Sequence, residues 1–361
     1  MKSTMEQTWI KEAYSDELPE VFHGGVKWQS PSNIALVKYW GKKGIQQPQN
    51  PSISFTLKQC RTETSVFYEK SDRFGLRFFF DGKPQPEFQS KMEAFLIGQR
   101  DSFPFLDQLD LQINSRNTFP HSSGIASSAS SMSALMMCLL DIERQAKGEE
   151  RIDLRKASYF ARLASGSACR SVLPKMALWG ETDVFEGSSD DYAVSLEDAI
   201  APIFKSYHDS ILIVSDAQKE VSSRAGHALM DANPFAEPRY AQAKKHVKEL
   251  LEALGKGDLE TFIRITELEA MQLHALMMCS EPSFILMKPN TLNIIQNLHD
   301  FRKETDIPVC FTLDAGPNVH VLYPDQHAEI VERFIMDELE RYCVGGLWIP
   351  DQVGDGPSPV Q

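Results

Sequence analysis

The sequence predicts an α+β protein organised in two units, and three observations carry that prediction. The chain has 361 residues, 42% hydrophobic and 24% charged, which is ordinary globular composition at a length suited to two domains. Stretches of alternating or continuous apolar character, read as strands, dominate the first 120 residues, whereas two long helical stretches fill residues 239–279. Between these regions, around Ala201–Phe204, the character changes and sets a boundary near residue 200.

The opening "MKSTMEQTWIKEAYSDELPE" is acidic and has no apolar h-region, so it does not read as a signal peptide; loose order is expected over the first twenty-odd residues. "GGVKWQS" and "SISFTL" follow as strands, then "TETSVFYE" and "GLRFFFDGK", the last with an Asp-Gly turn signal. "SKMEAFLIGQRDSF" reads as a helix. In "LDLQINSRN", Leu109, Leu111 and Ile113 alternate with polar residues as in a half-buried strand. "MSALMMCLLDIERQ" is apolar and rich in good helix formers. "DLRKASYFARLASGSACRS" is helical until its Ser/Gly-rich end, and "MALWG" resumes as a strand. Past the boundary, "SILIVSD" is a strand. The helices "RYAQAKKHVKELLEALGKGD" and "LETFIRITELEAMQLHALMMC" are separated by a turn at Gly255–Gly257. "PVCFTL" and "VHVLYP" are strands joined by "DAGPN", and "VGDGPSPVQ" is expected to fray.

The formal charge of −13 argues against nucleic-acid and anionic-membrane partners, because the mean field repels both. No apolar run approaches the roughly 20 residues of a membrane span. Cys60, Cys138, Cys169, Cys279, Cys310 and Cys343 form no CxxC pair and read as free thiols of a reducing cytoplasm. The nine histidines make no HExxH or other metal spacing, and His274, beside Met271 and Leu273, reads as a packing residue. A cytoplasmic protein is expected.

Four stretches carry candidate chemistry. "TFPHSSGIASSAS", between a strand and a helix, is dominated by small residues; such a turn presents backbone N–H groups at a helix N-terminus, where an anion is stabilised. It is not a Walker A loop, since Gly124 is followed by Ile125 and Ala126, so a phosphate-binding lysine must come from elsewhere. Ser122, Ser123, Ser127 and Ser128 offer hydroxyls for phosphate or Mg²⁺, or for capping. "SPSNIALVKYWGKKG" concentrates Lys38, Lys42 and Lys43; a four-residue spacing would let Lys38 and Lys42 face one anion from one helical turn, or the run is a solvated basic face with Trp40 in the core. In "ASGSACRS", Ser165, Ser167 and Arg170 can grip a carboxylate or diphosphate. Cys169 has no neighbouring histidine and reads as a packed thiol. In "TLDAGPNVHV", Asp314 stands at a strand end, where an acid serves as a base or simply turns the chain.

Together "NIALVKYWGKK", "PSISFTL", "NTFPHSSGIASSAS", "SGSACRS", "VSSRAG" and "DAGPN" resemble, in order, the diphosphomevalonate decarboxylases of the GHMP kinase superfamily, over residues 26–345. "KYWGK" and "SGSACR" set the chain apart from the mevalonate, phosphomevalonate, homoserine and galactose kinases. Residues 1–25 are an extension without a family counterpart, and the resemblance implies an ATP-binding domain like ribosomal protein S5 domain 2 at 26–203. A ferredoxin-like α+β domain follows at 204–361, with the active site in the cleft between. It implies ATP and Mg²⁺ as cofactors and mevalonate 5-diphosphate as substrate. The 3-hydroxyl is phosphorylated, then phosphate and CO₂ leave to give isopentenyl diphosphate. The family is often homodimeric. Carried over residue by residue, Asp314 orients or deprotonates the hydroxyl, with Lys38 near the transferring phosphoryl. Arg170 and Asn33 hold the carboxylate. Tyr39, Lys42, Ser165, Ser167 and Arg224 surround the diphosphate. Ser122, Ser123, Gly124, Ile125, Ala126, Ser127 and Ser128 cradle ATP, with Ser128 at the metal. Ser223 closes on the ATP side; Asn117, Ser52 and Ser54 complete the nucleotide set.

The chain departs from the family pattern in places. Pro174 and Lys175 stand where a Gly-Gly pair is usual, His121 stands before the loop serines as an added donor, and "QQPQNPSIS" replaces a more usual run. The alternatives within the class are a decarboxylase of the monophosphate and a 3-kinase that does not decarboxylate. The presence of Lys42, Ser165, Ser167 and Arg224 favours the diphosphate. A non-catalytic nucleotide sensor has no need of Lys38, Arg170 and Asp314 together, and a hydrolase lacks a nucleophile–base–acid set.

Overall fold

A computed structural model describes residues 4–120, 125–217 and 223–360 of the chain. Helix α1 (Thr4–Lys11) and strand β1 (His23–Ala35) come first, then the short β2 (Lys42–Lys43) and β3 (Gln47–Pro48) and the 19-residue β4 (Ser52–Lys70). The stretches read as two strands, "SISFTL" and "TETSVFYE", are therefore one. β1 and β4 pair antiparallel, Trp28 opposite Thr64 and Ile34 opposite Phe55, with a register shift between Pro31 and Asn33. β5 (Gly75–Phe80) and β6 (Lys83–Pro84) form a hairpin on Asp81 and Gly82, whose φ values of 47° and 73° are the left-handed pair a tight hairpin requires. Then come α2 (Pro86–Gly98), β7 (Leu109–Asn117), α3 (Ser127–Lys147), α4 (Leu154–Ala164), β8 (Met176–Trp179) and β9 (Ala193–Ser195).

The rest of the chain carries β10 (His208–Leu212), α5 (Ser223–Ala228), α6 (Ala236–Lys256), α7 (Leu259–Met278), α8 (Pro289–Thr305), β11 (Cys310–Leu313), β12 (Val319–Tyr323), α9 (Ala328–Phe334), β13 (Trp348–Gln352) and β14 (Ser358–Pro359). The order β11-β12-β10-β13 makes a four-stranded antiparallel sheet. The first sheet has the order β14-β1-β4-β7-β5-β6, with β8 on β4 and β9 on β8. Local chemistry sets the helix ends. Asp153 accepts N–H bonds from Arg155 and Lys156 at the start of α4, and Asp258 accepts one from Thr261 at the start of α7. Gly257, at φ 75°, ends α6 within the expected turn.

α3 is buried on most of its circumference against the first sheet and α4. The two sheets share a further core, in which Ile34, Phe55 and Leu57 meet Phe204, Tyr207, Ile211 and Phe262, all at most 1% exposed. Each such aromatic contributes about 1.5–3 kcal/mol by burial, so this seam is part of the fold itself. All six cysteines are free, and five are buried. No helix among the described residues is long and apolar enough to cross a membrane.

Both chain ends differ from expectation. Trp9 is buried, its indole N–H donates to Asp153, and Glu6 accepts a hydrogen bond from the Tyr159 hydroxyl, so α1 is docked. The acidic composition of this segment hides a short apolar face. At the other end the tail does not fray. β14 pairs with the outer edge of β1, Trp28 opposite Pro359, and Val353 bridges Leu57. The carboxylate of Asp351 collects the backbone N–H groups of Lys58, Gln59 and Cys60, which the register shift leaves outside the ladder. Lys175 keeps the backbone that glycine enters freely (φ 55°). Its N–H donates to the Gly354 carbonyl, its carbonyl accepts from Thr56, and its ammonium meets Asp355. The tail thus replaces the freedom of the missing glycine with fixed hydrogen bonds.

This arrangement makes Asp351→Ala costly. Three amides would lose a charged acceptor in a buried place, and the expected loss is about 3 kcal/mol or more. The urea midpoint measures it. A loss below about 1 kcal/mol would mean that water replaces the carboxylate and the strap is dispensable.

Candidate active site

A polar cleft opens where the two sheets meet, a cavity of about 130 Å³. Its walls come from widely separated parts of the sequence. The end of β1 and the segment after it bring Asn33, Lys38, Tyr39, Trp40 and Lys42. The start of α3 brings Ala126 and Ser128, the turn after α4 brings Ser165, Gly166, Ser167 and Arg170, α5 brings His227, and the β11–β12 turn brings Asp314. Four separately predicted stretches therefore converge on one site.

The segment after β1 is not helical. Residues 36–41 run as an irregular connection into β2, so the four-residue spacing of Lys38 and Lys42 does not bring them together as a helix would. They still share the cleft, at different depths. Lys38 is 1% exposed; its ammonium donates to the Ala35 carbonyl at 2.5 Å and lies 3.5 Å from Asp314 Oδ1. Burial lowers its pKa, opposed by the carboxylates of Asp314 and Glu269. Lys42 is half-buried and donates to Gln46. Gly41, at φ 95°, leaves room that a side chain would deny to the Tyr240 hydroxyl.

Arg170 is 2% exposed, donates to the Ser52 hydroxyl, and lies 5.9 Å from the Trp179 ring centre. Burial lowers its pKa, yet a guanidinium stays charged at any working pH. Asn33 donates to Ser171 Oγ at 2.8 Å and to the Ser167 carbonyl at 3.2 Å. Asn33 Oδ1, Tyr39 Oη and Arg170 Nε are buried without a partner among the described residues, so polar atoms free to meet a ligand gather around the cleft. Cys169 donates to the Gly166 carbonyl, and burial pushes its thiol up to about 12, which fits a packed thiol and not a nucleophile.

At the helix start, neither Ser127 nor Ser128 is a cap. The N-cap is Ala126, held at φ 35° with no side-chain bond, and the Ser127 carbonyl accepts from Ser130 and Ser131. Ser128 is exposed, 3.4 Å from Ser165 Oγ. Beside it lies a second, mostly apolar cavity of about 330 Å³, lined by Phe78, Phe80, Phe88, Met92, Asn117, Ser127 and Ser128 among others. Ile125 is buried, and its carbonyl accepts from Ser32. Ser52 and Ser54 are fully buried and line neither cavity; Ser52 donates to the Val37 carbonyl and sits behind Arg170. His121, Ser122, Ser123 and Gly124 lie outside the described residues. Ser223 and Arg224 open α5, with side chains likewise outside the description.

Two histidines that sequence reasoning left out of the site hold it in place. His274, far from being mere packing, donates its Nε2–H to the Asp314 carbonyl at 3.0 Å. A carbonyl only accepts, so this nitrogen carries the proton. His227 accepts the Gly41 N–H at Nδ1 and stacks on Trp40, ring centres 4.7 Å apart. Its only signal in the sequence was its place just beyond "VSSRAG".

Comparison with known proteins agrees with this geometry. Residues 30–193 match the diphosphomevalonate decarboxylase-like N-terminal domain, and residues 210–343 match the mevalonate 5-diphosphate decarboxylase C-terminal domain. The diphosphomevalonate decarboxylase of Saccharomyces cerevisiae is 31% identical over 325 residues, 85% of this chain and 79% of that protein. A solved structure, MDDEF in complex with MVAPP, AMPPCP and magnesium, superposes with a TM-score of 0.78 at 28% identity, covering 94% of this chain and 100% of the other. The mevalonate diphosphate decarboxylase from Enterococcus faecalis, solved for its mevalonate diphosphate mediated ATP binding mechanism, gives 0.77 at 26% identity, with the same coverage. Two sheets with a cleft between them, matched over nearly the whole chain, make this an enzyme of the GHMP kinase fold. Within that class the chain belongs to the diphosphomevalonate decarboxylase family.

The buried histidines give a pH signature. Burial lowers His274 from 6.5 to about 4 and His227 to about 3. Both stay neutral in the folded protein while they protonate in the unfolded chain. Stability therefore holds above about pH 6.5 and falls as pH drops toward 4. Urea midpoints between pH 7.5 and pH 4.5, taken as about three units of span, should show a shallower fall in His274→Gln than in the wild type. Equal slopes would remove His274 from the account.

Proposed function

We propose that this enzyme uses ATP and Mg²⁺ to convert mevalonate 5-diphosphate to isopentenyl diphosphate, phosphate and CO₂. The observation that carries the reading is the Lys38–Asp314 pair at the meeting of the two sheets, 3.5 Å apart, with Arg170 on the same cleft. Support also comes from relatives solved with MVAPP, AMPPCP and magnesium. We take residues 26–203 as the ATP-binding domain and 204–361 as the domain that brings Asp314, the tail from Val353 onward crossing back to the first.

The chemistry follows from the substrate. A tertiary alcohol is a poor nucleophile and hydroxide a poor leaving group. Asp314 accepts the 3-hydroxyl proton as the oxygen takes the γ-phosphoryl group of ATP. The C3–O bond then breaks with phosphate as the leaving group. The C1–C2 electron pair forms the C2=C3 double bond, and C1 departs as CO₂. Lys38 faces the charge that develops on the transferring phosphoryl. Arg170 and Asn33 hold the carboxylate, and Tyr39, Lys42, Ser165, Ser167 and Arg224 the diphosphate. The apolar cavity beside Asn117 and Ser128 suits the nucleoside, and the backbone of residues 125–128 its phosphates. Magnesium binds hard oxygen donors, chiefly substrate phosphates and water, and needs little protein beyond a hydroxyl. The exposed Ser128 hydroxyl in the first turn of α3 fits that demand. When bound, the ion neutralises phosphate charge.

The direct test incubates the protein with MgATP and mevalonate 5-diphosphate and follows three products. One ADP and one CO₂ are expected per isopentenyl diphosphate. ADP without CO₂ would indicate a 3-kinase, and faster turnover of the monophosphate a sister decarboxylase. Asp314→Asn should lower turnover by about 10³-fold or more, because an amide keeps the shape but cannot take the proton. Its substrate binding should survive. A fall of less than about tenfold would reduce Asp314 to a turn residue. Ser128→Ala should lose about 10²-fold in rate with an unchanged melting temperature, since the N-cap of α3 is Ala126; a lowered melting temperature with intact kinetics would reverse that assignment.

A further inference from the structure

Glu269 lines no part of either cavity and has no exposed surface, yet its carboxylate accepts from three partners. It stands on α7. One of its oxygens accepts the backbone N–H of Lys38 at 2.8 Å together with the Arg239 guanidinium, and the other accepts from His246 Nδ1. Five residues further along the same helix, His274 holds the Asp314 carbonyl. One helix therefore grips both partners of the pair, from behind and by their backbones.

We propose that Glu269 is a positioning residue for Lys38: it pins the Lys38 backbone to α7 and supplies the buried negative charge that balances its ammonium opposite Asp314. The inference rests on the function proposed above for Lys38 and Asp314, and adds the device that sets their separation. The charged and titratable groups facing Lys38 come from several elements. Asp314 lies on the β11–β12 turn, Glu269 and His274 on α7, Arg170 after α4, and Asp209 on β10. Asp314 and Glu269 favour the ammonium; burial and Arg170 oppose it. Glu269 does not act alone, because Arg239 offsets part of its charge. Removing Glu269 and removing Arg239 must therefore move Lys38 in opposite directions. A carboxylate too far from Lys38 to balance its ammonium would move it in neither.

The test reads Lys38 twice. In the first arm, ¹³Cε-lysine NMR follows its titration in the substrate-free protein, with Lys38→Met supplying the assignment. In the second, rate–pH profiles are taken with MgATP and mevalonate 5-diphosphate. Glu269→Gln keeps an oxygen for the Lys38 N–H but drops the charge. The titration midpoint and the alkaline limb of kcat are expected to move to lower pH by about one unit, with KM changed less than about threefold. Arg239→Gln is expected to move both to higher pH. Unmoved midpoints in both variants, or a shift of both in one direction, overturn the proposal and leave Glu269 a structural residue. Should Glu269→Gln fail to fold, Arg239→Gln decides alone: an upward shift supports the proposal and no shift overturns it. A wild-type protein that does not turn over this substrate would sink the proposed function, while the NMR arm would still decide the role of Glu269.

Discussion

An ammonium group kept at 1% exposure is the constraint on which the rest of this cleft depends. Removing a lysine charge from water costs several kcal/mol even after relaxation, so the surroundings must answer it. They answer from both sides of the molecule. The Ala35 carbonyl comes from the first sheet, Asp314 from the turn of the second, and Glu269 from the helix that packs on it. The pair is consequently a property of the assembled protein. The shared core of Phe55, Leu57, Phe204 and Phe262 holds the two sheets in the one relation that brings Lys38 and Asp314 within 4 Å.

A chain of net charge −13 is a poor host for polyanions, yet this cleft collects Lys38, Lys42 and Arg170 within one small cavity. The acidic surface matters little at that range, because exposed charges beyond about 10 Å are screened whereas buried ones are not. Local composition thus overrides the bulk figure, and the bulk figure excludes only partners that need a broad basic face.

Much of this was legible along the chain. Local periodicity predicted β7, α3, α6 and α7, and the small-residue turns marked where the cleft walls would be. What the sequence hid was of two kinds. Lys38 and Lys42 are four apart, but residues 36–41 follow the end of β1 and never coil, so helical spacing meant nothing there. Glu269 and His274 act on residues 231 and 40 positions away, and no local pattern distinguishes a helix carboxylate that will face solvent from one that will face a lysine. The tail misled for a related reason. Gly-Asp-Gly-Pro-Ser-Pro reads as punctuation until a partner strand is supplied from the other end of the chain.

That last pairing has a consequence for how the protein is made. β1 is complete once residue 35 is synthesised, and its inner edge can be satisfied as soon as β4 follows. Its outer edge waits for Ser358 and Pro359. Throughout translation the nascent chain therefore displays an open strand flank, the kind of edge that invites pairing with other polypeptides. The folded enzyme covers that flank at Trp28 and Gln29 with residues made long after β1.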